Sequence, residues 1–428
     1  MALFGTSGIR RIADRTLLEI ALRAGLAVGR TRKSIVIAGD TRTSTGAIKH
    51  AVISGLLASG ARCADAGIVP TPTLALAAGK FEAGIMVTAS HNPPEYNGVK
   101  IFNPDGSSFD TKQQSEIEKL VNGILPTASW SDIRSGTSLY EKAVENHIEH
   151  ILKNLTSNKK IKVVLDCACG AASVITPYLL RQMGCDVLEL NCNPSGFFPH
   201  DVEPIERNLG DLIRKTRELG AIGIAHDGDA DRMMAVDERG RFISGDKLLV
   251  LLARETSAKK IVTTVDASMI VEETGLPVNR TKVGDTFVSM ELKKDGDFGG
   301  EPSGAWVFPK NTLCPDGIYA AAILVTIASR ESLASLIDQI PQYPVIRDSL
   351  NNSGIVIPVL YKNLLSLNPV SVNDIDGLKL NFDGGWLLVR PSGTEPKIRI
   401  TVEAKNEARA RELHDLVVKT IESARGKK

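Results

Sequence analysis

Three carboxylates stand at alternate positions in the run HDGDADR, directly after the apolar strand pattern AIGIA. In an extended or looping chain, alternate side chains point to the same side, so Asp227, Asp229 and Asp231 can converge as hard oxygen ligands. Carboxylates held this close repel one another, and a divalent cation relieves the repulsion. The run therefore predicts a metal site.

An acidic run of this kind also occurs in loops of other types. An EF-hand loop requires glycine at position 6, where this chain has Arg232, although Glu238 does stand at position 12. Strand patterns also flank the run where an EF-hand has helices, so that motif is excluded. A haloacid-dehalogenase-type phosphatase, with Asp227 as its nucleophile, and a merely solvated acidic loop both stay open.

A candidate nucleophile follows a second apolar strand pattern, GIMV, in the run TASHNPPEYNGVK. Ser90 stands at the end of that strand, in a loop stiffened by Pro93 and Pro94, where a reactive hydroxyl can face a cleft. His91 is adjacent, and Lys100 lies ten residues beyond. The alternative is an ordinary turn in which the serine caps a helix, but the neighbouring motifs favour the reactive role.

A third run, RPSGTEPKIR, combines two arginines with hydroxyl groups and a free backbone N–H in a strand–loop–strand pattern. This set of anion donors consists of Arg390, Ser392, Gly393, Thr394 and Arg399. It is neither a Walker A loop nor a GxGxxG fingerprint. A loop that merely turns has no need of two flanking arginines, so the run predicts phosphate binding.

Weaker candidates lie in two further segments. The run GGEPSGAW could approach a sugar closely and bind its hydroxyls through Glu301 and Ser303, and the preceding TKVGD offers Lys282 and Asp285. Together with a hydroxyl nucleophile, a metal site and a phosphate clamp, a sugar-reading loop indicates phosphoryl transfer on a phosphorylated polyol.

These segments are positioned by alternating strand and helix patterns, which predict an α/β architecture. Three stretches repeat one order: a strand ending in Asp (Asp40, Asp166 and Asp266), a helix, a second strand near a glycine, and a Gly-led polar segment. The chain from about residue 347 differs and predicts a smaller α+β domain. The polar stretch 121–140 predicts a linker.

Local patterns give further expectations. Thr16 and Glu19 suggest a capping box that opens the first helix, with an apolar face from Leu17 to Val28. His147 and His150, on an acidic helical stretch, are expected to face solvent. The six cysteines contain no CxxC pair, so neither a disulfide framework nor a zinc site is expected.

Composition excludes several classes of protein. The 428 residues suggest roughly three domains on a prior of about 150 residues each, and the net charge of +1 predicts no broad nucleic-acid or membrane surface. The N-terminal residues carry no signal-peptide pattern, and no window is apolar enough to span a membrane. We expect a cytoplasmic protein, a monomer or homodimer, that acts on small molecules.

The runs TASHNP, DGDADR, GEPSG and RPSGTEPK, with an N-terminal GTSGIR, occur in the order and spacing of the α-D-phosphohexomutases, which this sequence resembles over essentially its whole length. The resemblance implies three similar α/β domains with mixed sheets and a smaller C-terminal α+β domain, around a central cleft. The expected boundaries are 1–140 for the phosphoserine loop, 141–240 for the metal loop, 241–345 for the sugar loop and 346–428 for the phosphate loop.

The resemblance also implies roles for the residues. Ser90 carries a phosphoryl group, and Mg²⁺ is held by that group with the three aspartates. A hexose 1,6-bisphosphate acts as primer and intermediate. The residues expected to act in catalysis are Ser90, His91, Lys100, Arg10 and Arg232. Those expected to bind substrate are Thr6, Ser7, Lys282, Glu301, Ser303, Arg390, Ser392, Gly393, Thr394 and Arg399.

Substrate preference is the finest expectation. Ala305 replaces a histidine that is common in the family, so one sugar or phosphate contact is missing or supplied elsewhere. Asp285 after Gly284, together with the GIR of the N-terminus, is most similar to archaeal family members that act on glucosamine phosphate. Glucose or mannose phosphate is the alternative, and a phosphatase or a non-catalytic sugar-phosphate-binding protein is a more distant one.

Overall fold

Among the residues that the structure describes, successive parts of the chain form four β-sheets. The computed structural model describes residues 3–157, 159–391 and 397–425. Its contacts divide the chain into two units, Met1–Val262 with Gly284–Gln339 (unit 1) and Thr263–Val283 with Ile340–Lys428 (unit 2). Within the described ranges, no helix is both long and apolar enough to cross a membrane.

The first sheet is mixed and has the order β1-β5-β4-β2-β3-β6. Parallel pairing joins β2 to β3 and β4, whereas β5 runs antiparallel to β4 and β1. Its elements are β1 Ile9–Ile12, α1 Arg15–Thr31, β2 Ser34–Gly39, α2 Thr45–Ala58, β3 Arg62–Ile68, α3 Thr71–Ala78, β4 Ala83–Val87, β5 Tyr96–Phe102, α4 Thr111–Asn122 and β6 Ser138–Leu139.

The second sheet is also mixed and has the order β11-β10-β9-β7-β8. Here β7 pairs in parallel with β8 and β9, and β10 is antiparallel to β9. The elements are α5 Ala143–Leu152, β7 Lys162–Asp166, α6 Thr176–Gln182, β8 Asp186–Leu190, α7 Gly210–Leu219, β9 Ile222–His226, β10 Met233–Val236 and β11 Phe242–Ile243, with 3₁₀ turns at Ala171–Val174 and Glu206–Asn208.

The third sheet has the order β13-β12-β14-β15-β16, and the unit boundary falls inside β12. In unit 1, β14, β15 and β16 follow one another as an antiparallel meander. The elements are α8 Gly245–Glu255, β12 Ile261–Thr264, a 3₁₀ helix Met269–Thr274, β13 Val278–Thr281, α9 Asp285–Lys294, β14 Phe298–Gly300, β15 Trp306–Phe308, β16 Thr312–Pro315, α10 Gly317–Ala328 and α11 Leu333–Asp338.

One strand order recurs in these three sheets and confirms the threefold repeat. In each sheet, the strand that leads to the aspartate of the repeat (β2, β7, β12) is the first strand of that repeat. It lies between the second and third strands of the repeat, and the fourth strand lies on the far side of the third. The fifth position differs, because the N-terminal β1 fills it in the first sheet. The equivalent third strands are β4, β9 and β14, so the loops that follow them occupy equivalent positions in their sheets.

The C-terminal sheet is antiparallel throughout, with the order β17-β21-β20-β19-β18. It confirms the smaller α+β domain. Apolar side chains on one face pack against two helices in a single core. The elements are β17 Val345–Asn351, α12 Ile357–Leu365, β18 Ser371–Asn373, β19 Leu378–Phe382, β20 Gly385–Pro391, β21 Lys397–Ala404 and α13 Glu407–Ser423.

Two local expectations need correction. The N-cap of α1 is Asp14, whose carboxylate accepts from the Leu17 N–H, and Glu19 instead pairs with Arg15 at 2.7 Å. Aspartate caps better than threonine, and it stands where the chain first turns. The stretch 121–140, predicted as a linker, is mostly exposed, but its end forms β6, which pairs with β3 of the first sheet.

The expectation that His147 faces solvent is wrong. Its side chain is fully buried, with Nδ1 2.8 Å from Thr73 Oγ1 and Nε2 3.0 Å from Asp316 Oδ2. Asp316 also caps α10 through the N–H groups of Ile318 and Tyr319. A polar residue on a helix can face inward when partners from distant elements satisfy it, and the local sequence does not show such partners.

We predict that His147→Ala lowers the thermal stability of unit 1. The substitution leaves the buried Thr73 hydroxyl without a partner, removes one of the donors to Asp316 and opens a cavity, which together cost about 3 kcal/mol. The melting temperature, followed by circular dichroism, should fall by roughly 5 °C or more. His150→Ala, on the partly exposed part of the same helix, is the matched control and should change it little. Equal melting temperatures for the two variants would contradict the role assigned to His147.

Candidate functional site

Ser90 lies in the loop directly after β4, and its side chain is 1% exposed. Its backbone is left-handed, with φ of 51°, a conformation that costs a non-glycine residue energy and that clusters at functional sites. The Ser90 N–H donates to Thr88 Oγ1 at 2.8 Å. The Ser90 hydroxyl donates to Asp227 Oδ2 at 2.8 Å, and its oxygen lies 3.3 Å from His91 Nδ1.

The strain at Ser90 is maintained by Arg42, which sequence reasoning missed. The Arg42 guanidinium donates to four backbone carbonyls of the loop, those of Ser90, Asn92, Pro93 and Tyr96, at 2.6–3.0 Å. Its fifth N–H donates to a carboxylate, Asp40 Oδ2, at 3.1 Å. All five guanidinium donors are therefore used, and Arg42 fixes the backbone on both sides of Ser90.

Asp40 follows β2 directly. Its carboxylate accepts hydrogen bonds both from the Arg42 guanidinium and from Thr88 of the serine loop, so it connects the two. It accepts hydrogen bonds from the Thr88 and Thr45 hydroxyls at 2.7 and 2.8 Å. In the sequence, Asp40 is recognisable as the aspartate of the repeat. An arginine two residues after it, Arg42, was the only local indication that this pair supports the serine loop. Only the fold shows that both residues support the loop after β4.

The three aspartates lie between β9 and β10, and their ligand oxygens come within 4.8 Å of one another, as predicted. All three are buried. Ala230 takes a left-handed backbone, with φ of 58°, which lets the loop turn back. A Cβ on Gly228 would stand 2.7 Å from the Ser90 carbonyl oxygen, so glycine is required for this close approach of the two loops.

Lys100, on β5, enters the same cluster. Its Nζ donates to Asp229 Oδ2 at 2.8 Å and to Asp231 Oδ2 at 2.6 Å. Burial by itself lowers the pKa of Lys100, but these two carboxylates outweigh burial and raise the pKa above its usual value. The ammonium therefore offsets part of the negative charge of the cluster.

The remaining charge fits a divalent cation. Asp229 Oδ1 is buried and has no hydrogen-bond partner among the described residues. Burial, followed by the charges of Asp231 and Asp229, raises the pKa of Asp227 well above its usual range. Three carboxylates with an unsatisfied oxygen form the hard oxygen donor set that Mg²⁺ prefers.

The side chains of His91 and Arg10 lie at the loop that carries Ser90. Arg10 donates to Asn92 Oδ1 at 3.1 Å and to Ser7 Oγ at 3.2 Å. Burial first, and then the charges of Arg232 and Arg10, lower the pKa of His91 to about 2, so its imidazole is neutral. The structure thus brings these predicted residues to one place in unit 1.

The sugar-loop candidates lie against the metal loop. Arg232 forms a backbone β-bridge with the buried Ala305, and the Met233 N–H donates to the Gly304 carbonyl at 3.0 Å. The Arg232 N–H also donates to Asp227 Oδ1 at 3.3 Å. The backbone of residue 305 therefore helps to fix the loop that carries the aspartates.

Other substrate-binding candidates have separate positions. Glu301 Oε1 accepts from the Gly284 N–H at 2.7 Å, and Ser303 is exposed. The Thr6 carbonyl accepts from the Thr286 hydroxyl at 3.0 Å. These contacts lie within unit 1: the first connects the sugar loop to the start of α9, and the second connects α9 to the N-terminal segment.

The phosphate-loop candidates belong to unit 2. Arg390, at the end of β20, pairs with Asp376 at 2.6 Å and stands opposite Arg399 of β21. Lys282 follows β13 in the same unit. Ser392, Gly393 and Thr394 lie outside the described residues.

Four family models match consecutive parts of this chain. They are described as phosphoglucomutase/phosphomannomutase alpha/beta/alpha domain I over residues 1–127, domain II over 144–240 and domain III over 244–343, and the C-terminal domain over 356–420. The chain belongs to the phosphoglucomutase/phosphomannomutase family. This confirms the predicted α-D-phosphohexomutase resemblance, the fold class and the expectation of an intramolecular phosphotransferase.

Individual relatives agree with this assignment. A probable phosphoglucosamine mutase of Methanocella arvoryzae is 48% identical over 97% of this chain and 96% of its own. A phosphoglucomutase/phosphomannomutase family protein of Burkholderia thailandensis is 27% identical, with a TM-score of 0.88 over 99% of this chain and 97% of that one. The fold is shared by an Aspergillus fumigatus N-acetylphosphoglucosamine mutase solved with GlcNAc-6P and magnesium, at 17% identity and a TM-score of 0.64 over 99% of this chain and 96% of that one.

We predict that Arg42→Met lowers mutase turnover about 100-fold, because freeing the loop carbonyls lets the Ser90 hydroxyl move by the order of an ångström. Steady-state kinetics should show the loss mainly in kcat, since Arg42 lies beneath the loop. Arg42→Lys keeps the charge but has fewer donors, and should be intermediate. Arg62→Met, at the exposed start of β3, is the matched control. Wild-type turnover in Arg42→Met would show that the loop needs no such support.

Proposed function

We propose that this enzyme interconverts glucosamine 6-phosphate and glucosamine 1-phosphate through a phosphoserine at Ser90. The observation that carries the proposal is the Ser90 hydroxyl at 2.8 Å from Asp227 within a buried cluster of three carboxylates. A serine in this position can exchange a phosphoryl group once a divalent cation on the carboxylates, together with Lys100, supplies the positive charge that the transfer needs.

The transfer is balanced in two half-reactions. In the first, the P–O bond to Ser90 Oγ breaks while a bond forms to the free hydroxyl of the sugar phosphate, and that hydroxyl's proton passes to the serine oxygen through a neighbouring group. The product is a hexose 1,6-bisphosphate. The intermediate then reorients in the site. Its other P–O bond breaks while a bond forms to Ser90 Oγ, the serine proton passes to the released sugar oxygen, and the isomeric monophosphate leaves.

The chain's own side chains have separate parts in this scheme. Lys100, placed by its bonds to two of the aspartates, carries the proton between the serine and sugar oxygens. Arg10 and His91 orient the phosphoryl group, and Thr6 and Ser7, the latter hydrogen-bonded to Arg10, contribute to substrate binding. Arg232 stands next to the aspartate loop, where its backbone N–H fixes Asp227.

A divalent cation completes the site. Asp227, Asp229, Asp231 and the phosphoryl group on Ser90 would hold Mg²⁺, consistent with the unsatisfied Asp229 Oδ1. When bound, Mg²⁺ offsets the repulsion between the phosphoserine and the incoming phosphosugar and stabilises charge on the transferring group. A hexose 1,6-bisphosphate is the proposed primer.

Substrate recognition is divided among three further groups. Glu301 and Ser303 bind sugar hydroxyls, and Lys282 contributes a positive charge. Five groups hold the phosphate that is not reacting: Arg390, Ser392, Gly393, Thr394 and Arg399.

We also propose four domains, with boundaries at 1–140, 141–240, 241–345 and 346–428. We further propose a cytoplasmic monomer or homodimer without nucleic-acid or membrane partners.

The glucosamine assignment rests on archaeal relatives named phosphoglucosamine mutase at 41–48% identity. Glucose or mannose phosphate remains the alternative, favoured by the domain models' description. The backbone of Ala305 contacts Arg232, so the position has a structural use without a histidine side chain.

Replacing the nucleophile separates a mutase from a phosphatase. Ser90→Ala should lose at least about 10⁴-fold in turnover, because the phosphoryl acceptor is gone, and intact-mass analysis after incubation with hexose 1,6-bisphosphate should show no phosphorylation. Ser54→Ala, at an exposed serine of α2, should match the wild type in both assays. Turnover retained by Ser90→Ala and lost by Asp227→Asn would support the aspartyl phosphatase and reject the mutase.

Metal dependence can be measured apart from activity. Mg²⁺ added to metal-stripped protein should raise the melting temperature, because the cation binds only the folded chain. In Asp229→Asn, the same rise in melting temperature should require an Mg²⁺ concentration at least about tenfold higher. Asp211→Asn, at an exposed aspartate of α7, is the control. An equal Mg²⁺ response in both variants would place the cation elsewhere.

The substrate follows from comparing kcat/KM for glucosamine 6-phosphate, glucose 1-phosphate and mannose 1-phosphate, with Mg²⁺ and the bisphosphate primer present. We expect glucosamine 6-phosphate to be preferred by at least about tenfold, a difference of about 1.4 kcal/mol in transition-state binding. Equal or better turnover of the other two would make the enzyme a general hexose phosphate mutase and would leave the phosphoserine mechanism unchanged.

A further inference from the structure

The C-terminal sheet presents two chemically different faces. Side chains alternate between faces along each strand, and one set, including Leu387, Val389 and Ile400, packs against α12 and α13. Asp348 of β17 also points to that face, since His414 of α13 lies 3.1 Å from it. The neighbouring Arg347 therefore points to the opposite face.

The strand register places three arginines together on this opposite face. Arg390 of β20 is directly opposite Arg399 of β21, which is in turn directly opposite Ser349 of β17. Arg347 stands two residues before Ser349 and opposite Thr401, so it is diagonal to Arg399. Diagonal neighbours across an antiparallel pair are about 7–8 Å apart, within reach of long side chains that converge on one ligand.

The remainder of this face is already covered within unit 2. Farther along the strands, Trp386 donates to Glu403 at 2.7 Å, and Glu403 also accepts from the Met269 N–H at 2.7 Å. Trp386 and Leu388 pack there with Val265. The arginine end is open instead, and forms a concavity of about 420 Å³ lined by Arg347, Arg390 and Arg399.

Charge at the open end favours an anion. Arg390 is paired with Asp376 at 2.6 Å, so part of its charge is already offset. Two carboxylates also border the concavity: Asp266, which accepts from the Thr264 hydroxyl at 2.6 Å, and Asp348, whose carboxylate is directed to His414 on the helix-covered face. Arg347 forms no ion pair with the described residues, and its exposed guanidinium can present a planar pair of donors to a phosphate.

We infer that Arg347 is a third phosphate-binding arginine, which holds the non-reacting phosphate of the sugar together with Arg390 and Arg399. The inference rests on the proposed function, because that phosphate is the ligand. A phosphate monoester dianion has three terminal oxygens, enough to accept from three guanidinium groups. Arg347 contacts the ligand far from the reacting atoms, so it stabilises ground state and transition state equally.

Arg347→Gln tests this role against a matched control, Arg411→Gln, whose side chain is 74% exposed on α13. The expected result is a KM for glucosamine 6-phosphate raised about tenfold or more with kcat nearly unchanged, the signature of lost uniform binding. Arg347→Lys, which keeps the charge without the fork, should recover part of the loss. Arg411→Gln should match the wild type.

A second measurement is independent of turnover. Inorganic phosphate is titrated calorimetrically into the full-length chain without divalent cation, where the carboxylate cluster of unit 1 repels anions. Phosphate should bind about tenfold more weakly to Arg347→Gln than to Arg411→Gln. Equal phosphate affinity and equal KM in the two variants would overturn the inference while leaving the mutase intact. A wild-type chain that turns over no hexose phosphate would reject the proposed function, and the phosphate titration would still decide the role of Arg347.

Discussion

The site in unit 1 depends on how the structure offsets the electrostatic repulsion among three buried carboxylates, those of Asp227, Asp229 and Asp231. At separations within 4.8 Å and an effective dielectric constant of about 20, each ionised pair opposes folding by roughly 3–4 kcal/mol. Asp229 receives hydrogen bonds from Lys100 and from the Thr71 hydroxyl. Asp227 receives the Ser90 hydroxyl. Hydrogen-bond donors from the first domain, namely Lys100, Thr71 and Ser90, therefore offset part of the repulsion. One oxygen of Asp229 has no donor among the described residues and is available to a cation.

The same contacts bring chemistry and architecture together. Ser90 and Asp227 are separated by 137 residues along the chain, yet they share a hydrogen bond because their loops follow the equivalent strands β4 and β9. Repeating one strand order gives each domain a loop at the same place in its sheet. Gly228 then allows the two loops to approach, since a Cβ there would meet the Ser90 carbonyl.

Support for the reactive loop comes from beneath it. Arg42 uses all five of its donors on the backbone around Ser90 and on Asp40. These hydrogen bonds maintain the left-handed backbone conformation of Ser90, which the loop would lose without them. Arg347 illustrates a different use of the same side chain, because its neighbours leave it exposed beside two other arginines on an open sheet face.

The sequence by itself determined the residue types, the approximate elements and the family. Periodicity identified β20, β21 and α13, and the spacing of Asp227, Asp229 and Asp231 identified the metal-binding candidates, because these signals are local. It could not show that His147 is buried against Asp316, or that Arg42 holds the serine loop. Hydrophobic and charge patterns reflect neighbouring residues only, whereas the burial of His147 and the partners of Arg42 depend on how elements far apart in the chain pack. Tertiary structure alone decided those partners.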